Sequence, residues 1–516
     1  MTKNKHSIQK VFLDIDTPSM VMANSIKNNL AVFIQNELIP ILEKQFDLLE
    51  NAENQIIQIE KLEISINSNT DKPDVFLYNN EEKKDIKNQI EKEIQKTLSD
   101  LKKGTKQSEN NSELHTISSH DKEIKTLLYF IQNGSMPWWI TKEDEIVFFE
   151  EMNFENLKRN VFKIPFRKLI QQKNIQQRII NQFSNYQISM FASTLFHSEN
   201  QQKSLSKNNL IQFLDKNPHN FKTSFWRLIF DLPIENTRNL VLFYHENETI
   251  LLSEKLFFQL FIQSIKAVFP VDISDVEFEK MNKDYLNSKN NKSAKNTDFT
   301  IIENKNILEK ESHPEINSKD NQLSYDYPLY HKLNEESEMK DKYDFKEEEK
   351  NNLKSFYVQN AGLIILHPFI KEMLKSCNLI DDNNIITNKE LAAHILHYAA
   401  TKKENDYENT MLFEKFLCGI PIQQSIRREI RIEEKHKKQV EEMLLSVVEH
   451  WSALKNTSIE IVRTEFLQRE GKLDLSESNP KLNIERKTQD LLLEKIPWNI
   501  NIIKIAWIEK LIYTQW

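Results

Sequence analysis

Apolar residues recur along this chain at two spacings, and the change from one to the other marks where elements begin and end. Over residues 6–66 the pattern reads strand, helix, strand. HSIQKVFLDI carries Ile8, Val11, Leu13 and Ile15 in partial alternation, the period of a half-buried strand. Asp16, Thr17 and Ser19 then offer helix N-caps. The helix runs to about Leu49, with Ile26, Leu30, Phe33, Ile34, Leu38, Leu42, Phe46 and Leu49 on one stripe. Pro40 should kink or split it. QIIQIEKLEISIN returns to period two through Ile57, Ile59, Leu62, Ile64 and Ile66. Two strands joined by a long helix predict a parallel pair with a right-handed crossover.

Residues 68–122 are polar. Ile86, Ile90, Ile94 and Leu98 stand four apart in EEKKDIKNQIEKEIQKTLSDLKK, which predicts a helix. A solvated linker helix is the simpler reading and a coiled-coil arm the alternative. GTKQSENNSELHTISSH reads as loop. From residue 123 the helical spacing returns. One helix passes through Phe130 and ends near Gly134, and Pro137 blocks its continuation. SFWRLIFDL and KLFFQLFIQSIKAVF continue the helical middle region. Residues 284–352, rich in Asn, Lys, Glu and Ser, read as a flexible linker.

The C-terminal stretch is the least polar. Helices are predicted over roughly 362–470. Pro368 sits near the start of one and Cys377 near its end; LAAHILHYAA makes another. MLFEKFLCGIP is short, stopped by Gly419 and Pro421. The longest is EEKHKKQVEEMLLSVVEHWSAL, buried through Met443, Leu444, Val447, Val448, Trp451 and Leu454. On its wet face Glu433–Lys437 and Lys437–Glu441 have ion-pair spacing. KLDL and KLNIER around SESNP predict a hairpin, and NINIIKI and EKLIYTQW two final strands.

The fold class is therefore mainly α with small β elements (α+β). The expected organisation is an N-terminal β-α-β unit at 1–67, a polar linker or helical arm at 68–122 and a helical middle domain at 123–283. A flexible linker at 284–352 and a C-terminal helical domain with a small β-sheet at 353–516 complete it.

Composition narrows the function. A chain of 516 residues exceeds one core. Its formal net charge of -8 offers no attraction to nucleic acid or to an anionic membrane. The N-terminus has a basic start with no apolar run behind it, unlike a signal peptide, and no stretch is long enough to span a bilayer. Cys377 and Cys418 lie in apolar helical surroundings, which predicts buried reduced thiols and a cytoplasmic setting. With 5 Gly there is little material for a phosphate-binding loop.

No nucleophile elbow, Walker A, dinucleotide fingerprint or CxxC pair is present, so no catalytic, cofactor-binding or metal residues are assigned. His367, His394, His397 and His450 lack carboxylates at ligand spacing and read as core or subsurface residues. The tryptophans stand out. Trp138, Trp139, Trp451, Trp498, Trp507 and Trp516 lie next to proline or at element edges, as core anchors or protein–protein hot spots do. With His367, Pro368 and Pro497 they form the candidate interaction set.

Several of these stretches together resemble the tape measure protein family of contractile injection systems, the phage-tail-like particles of bacteria. The resemblance rests on HSIQKVFLDID, LEISI, IQNGSMPWWI, VQNAGLIILHPFI and EKFLCGIP, in the family's order. VVEHWSALKNTSIEIVRTEFLQREGKL and IPWNINIIKIAWIEKLIYTQW follow. Ala506 stands where the family pattern usually has Pro before Trp507. The resemblance implies a structural assembly protein, not an enzyme, that controls inner-tube length and links baseplate to tube. It implies no cofactor. Its implied partners are the inner tube and hub or baseplate subunits, with a homo-oligomer left open and neither nucleic acid nor membrane involved. A non-ruler baseplate or tube adaptor, or a cargo-loading chaperone of the same particle, is the alternative. Geometry favours neither outright: the two linkers together, about 120 residues, reach roughly 400 Å at most.

Overall fold

A computed structural model describes residues 6–8, 11, 13, 30, 32–49, 55–59, 62–65, 80–104, 114–195, 204–231, 243, 354–455 and 457–516. The chain divides into two compact units, Met1–Phe162 and Lys163–Trp516.

In the first unit a π-helical turn at Ile34–Leu38 runs into α1 (Ile39–Asp47). Pro40 is the second residue of α1, but the residues before it are already helical, so its missing N–H leaves a gap inside a continuous helix. The expected kink is thus a change of helical register just before the proline. α2 (Asn80–Gly104) buries Ile90, Ile94 and Leu98 against Leu38, Leu42 and Leu49. It is a packed helix, not the solvated one expected. A four-residue apolar spacing shows that a face exists; only the matching stripe on α1 shows that it is covered. Glu91 fixes the pairing, accepting from Lys44 at 2.7 Å and Gln45 at 2.9 Å.

β1 (Gln55–Ile59) pairs antiparallel with β2 (Leu114–Ser118), in register Gln55↔Ser118 to Ile59↔Leu114. β2 lies in residues expected to be loop, where the short LHTIS carries only two aliphatic residues, Leu114 and Ile117, between flanking Ser and Asn. Most of the expected partner strand at 6–15 lies outside the described residues; His6, Ser7, Ile8, Val11 and Leu13 carry no strand, and the described partner of β1 is antiparallel. Directly after β2, Ser118 caps α3 (Ser119–Asn133) by accepting from the Asp121 N–H at 3.1 Å. α3 ends at Gly134 with φ +73, as expected.

In the second unit α4 (Lys173–Gln182), α5 (Asn185–Ser193), α6 (Ser204–Lys216) and α7 (His219–Asp231) bury an aromatic cluster that includes Phe191, Phe221, Phe225 and Trp226. A serine–glutamine capping box, Ser184 with Gln187, starts α5. Residues 284–352, the expected linker, lie outside the described residues.

The C-terminal part follows expectation in most elements. α8 (His367–Ser376) has Pro368 in its first turn and Cys377 as its C-cap. α9 (Lys389–Thr401), the short α10 (Leu412–Leu417) and the long α11 (Glu434–His450) follow, and Gly419 turns the chain at φ +66. The expected wet-face pairs on α11 are replaced by others. Lys437 pairs with Glu404 at 2.6 Å and Glu434 at 2.8 Å, while Glu441 pairs with Arg463 at 2.6 Å. Tertiary partners outcompete the i,i+4 spacing.

Five strands close this part: β3 (Ser355–Val358), β4 (Gly471–Asp474), β5 (Lys481–Ile484), β6 (Ile502–Ile503) and β7 (Ile512–Gln515), in sheet order β3-β4-β5-β7-β6. The β4–β5 hairpin and both final strands were expected; β3 was not. β7 pairs parallel with β5 and antiparallel with β6, so it is an inner strand. The edges are β3 and β6. Phe356, Val358, Leu473, Leu482, Ile484, Ile503 and Ile512 point into one core, while Tyr357, Ile502 and Tyr513 face out. The alternation of β-strand side chains produces this one-sided sheet. Among the described residues no helix is long and apolar enough to cross a membrane.

Candidate functional site

Indole N–H groups buried in a core need an acceptor, and here they find main-chain carbonyls. Trp451, fully buried at the end of α11, donates to the Leu492 carbonyl at 3.1 Å and packs edge-on against Phe466. Trp498 donates to the Ile365 carbonyl at 3.0 Å and stands edge-on to Phe369. Trp507 donates to the Leu417 carbonyl at 2.7 Å. Three indoles thus stitch the segment after β5 to three different elements. His367 joins them, donating from Nε2 to the Asn499 carbonyl at 2.8 Å; burial pushes its pKa down, and that bond partly restores it. Trp516 is partly buried against the same core.

Pro368 and Pro497 are exposed at the start of α8 and just before Trp498. Pro368 and Phe369 line one side of a groove of about 240 Å³ between α8 and α11. In the first unit Trp139 donates to the Thr126 hydroxyl at 3.0 Å and meets Trp138 edge-on, leaving Trp138 with 36% of its surface exposed. The expected set is therefore split. Trp451, Trp498 and Trp507 are anchors of one core, and Trp138 is the exposed aromatic. Trp507→Phe keeps the ring and deletes one bond, so it should lower stability by about 1 kcal/mol in urea unfolding.

The most heavily charged buried region was not foreseen. Arg178 on α4, Glu408 and Lys415 are all fully buried. Arg178 Nε donates to Glu408 Oε1 at 2.6 Å, and its guanidinium also reaches the Gln423 carbonyl. Lys415 donates to Glu408 Oε2 at 3.1 Å and to the Ile422 carbonyl at 2.6 Å. Around them Gln182 accepts from the Glu408 N–H at 2.8 Å and donates to the Ile426 carbonyl at 2.7 Å. Asn181 donates to the Ser425 hydroxyl at 3.2 Å. Burial pushes the Lys415 pKa down, and Glu408 opposes the shift. Such charges persist in a core only when paired and hydrogen-bonded. The sequence signal is weak: Glu414–Lys415 interrupt the apolar LFEKFL, but Arg178 lies in the amide-rich IQQRIINQ and Glu408 in the polar NDYENT.

A second polar cluster surrounds His397 on α9. Its Nδ1 lies 2.9 Å from Glu414 Oε1, which also accepts from Asn360 at 2.7 Å, and its Nε2 lies 3.5 Å from Asp406. Burial works against a charge on this ring, but Asp406 and Glu414 outweigh it and lift its pKa to about 9. The folded pKa stands above the unfolded value, so the stability His397 contributes is fully present below about pH 6.5. It should be lost as pH rises through 9. Urea midpoints measured from pH 6 to 9.5 should fall, and His397→Gln should flatten the decline.

These clusters tie backbone segments together. Each charge in them is answered by a counter-charge or a carbonyl. Among the described residues no group of three or more His, Cys, Asp or Glu is placed to hold a metal ion. Cys377 and Cys418 are free and buried, and burial pushes the Cys377 thiol up to about 11, which makes it unreactive.

Comparison with curated proteins and with solved structures gives no match. The family model described as contractile injection system tape measure protein matches residues 5–516. That match runs through both units and through every stretch that carries the resemblance, and on it the chain belongs to the contractile injection system tape measure protein family.

Proposed function

We propose that this chain sets the length of the inner tube of its particle and links baseplate to tube. The observation that carries the reading is the family match across residues 5–516. In this reading the folded parts grip the inner tube and the hub or baseplate subunits, and residues 284–352, which belong to the second unit, supply the length that is counted. Trp138 and the two sheet edges, β3 with Tyr357 and β6 with Ile502, are the proposed contact points, because unpaired strand edges and exposed aromatics are ready docking elements. The chain works without a cofactor and does no chemistry.

The test is particle length by electron microscopy in cells whose chain lacks about 40 residues between 284 and 352. Uniformly shorter tubes are expected. Intact particles of unchanged length would overturn the length-setting role.

A second reading has its own observation. The C-terminal unit is compact, with its last strand inside the sheet and its tail held by three indole bonds. Such a body suits an adaptor or cargo-loading chaperone of the same particle. It predicts normal tube lengths and a loss of assembly or loading when the tail is damaged.

A further inference from the structure

We infer that the surface formed by residues 404–428 is an internal docking site, and that its ligand is the chain's own helix α4 with the helices packed on it. The inference does not depend on the length-setting role.

The two sides have separate apolar cores. Among the described residues, the core that runs from Phe356 to Ile512 has no member from 163–231, which bury their own aromatic cluster. Among the described residues the two sides are joined mainly by hydrogen bonds and ion pairs. Arg178, Asn181 and Gln182 stand three and four residues apart, so they share one face of α4. Each meets a group on residues 408–426: Glu408, the Ser425 hydroxyl and the Ile426 carbonyl. The one ring pair described across the seam is Phe183 with Tyr407, 6.3 Å between centroids. Interfaces built this way separate more readily than cores, because water can replace what each face loses.

The charge arrangement fits separation as well. Glu408 is shared: Arg178 approaches from one side and Lys415 from the other. If α4 leaves, Glu408 and Lys415 remain paired on one body, and Arg178 passes into water, where a guanidinium is well solvated. Neither body is left with an isolated buried charge, which is the state that would forbid parting. The recognition code is an arginine followed at three and four residues by two amides, read by one buried carboxylate and two main-chain or hydroxyl oxygens. Docked, the site holds Asp231 and Lys354 within one unit although the chain between them is long. Undocked, those two points are free to move apart.

The experiment inserts a protease site between residues 284 and 352 of the full chain, cuts it, and follows the pieces by gel filtration and far-UV circular dichroism. The cut wild-type pieces are expected to co-elute. Arg178→Glu sets a carboxylate against Glu408 and leaves the Glu408–Lys415 pair intact. It should weaken the association at least 100-fold, so that the pieces elute apart while their summed helical signal is unchanged. Gln182→Ala should weaken it less. Two results would overturn the inference: cut Arg178→Glu pieces that still co-elute, or cut wild-type chain that loses helical signal instead of remaining two folded bodies.

Discussion

Gly362→Ala should prevent residues 354–516 from reaching their native fold. A Cβ at this position would stand 1.7 Å from the Phe466 carbonyl oxygen and 2.9 Å from the Leu467 Cα. Both are backbone atoms, so no rotamer change relieves the clash. Gly362 lies in the turn Ala361–Leu366, every residue of which is buried, and it meets the π-helical turn Arg463–Leu467. The neighbouring contact is also tight: a Cβ on Gly471 would stand 2.6 Å from that of Ala361. The bond from the Ala361 N–H to the Arg469 carbonyl, 2.9 Å, holds the two segments at this distance. Making room means parting them and opening the core around Leu363 and Phe466. A cost of more than about 4 kcal/mol is expected, beyond the range of ordinary substitutions. Urea unfolding followed by tryptophan fluorescence checks it. A shift in midpoint no larger than that of a surface variant would show that the segments are not held so close.

Glu408→Ala should cost about 3–5 kcal/mol, because it leaves Arg178 and Lys415 without the carboxylate both of them use. Lys415 would keep only the Ile422 carbonyl as acceptor. The companion variant separates the value of the network from the damage of breaking it. Arg178→Met, Glu408→Leu and Lys415→Met together remove every charge, and they should return stability to within about 1 kcal/mol of wild type, or above it. Denaturant midpoints of the single and triple variants decide. If the triple variant is as damaged as the single one, the surrounding hydrogen bonds rather than the charges carry the seam.

Much of this was legible in the sequence, for reasons that differ by element. The β4–β5 hairpin showed through alternation around a Ser-Asn-Pro turn, and α3 through its stripe and the glycine that ends it. Both signals are local. α2 was misjudged because its environment is not local: Ile90, Ile94 and Leu98 look alike on a solvated helix and on a packed one. β2 and β3 were missed because they are short and set in polar surroundings. The indoles stand out in the sequence by their positions beside proline or at element edges, yet their work, donating to carbonyls far along the chain, depends on the fold. The seam at Arg178 and Glu408 escaped for the same reason. Its partners lie some 230 positions apart, and each stands among polar neighbours that give no sign of burial.

The place of β7 inside the sheet has a consequence for synthesis. A ribosome makes the five strands in numerical order, but the sheet sets the last of them between β5 and β6. β6 has no partner until β7 has been made, and β5 keeps one side open until then. β3 waits too, since β4 follows it by roughly 110 residues and long-range pairing is slow. The nascent C-terminal part therefore carries exposed strand edges for most of its time on the ribosome, and a chain stopped before Ile512 never covers them.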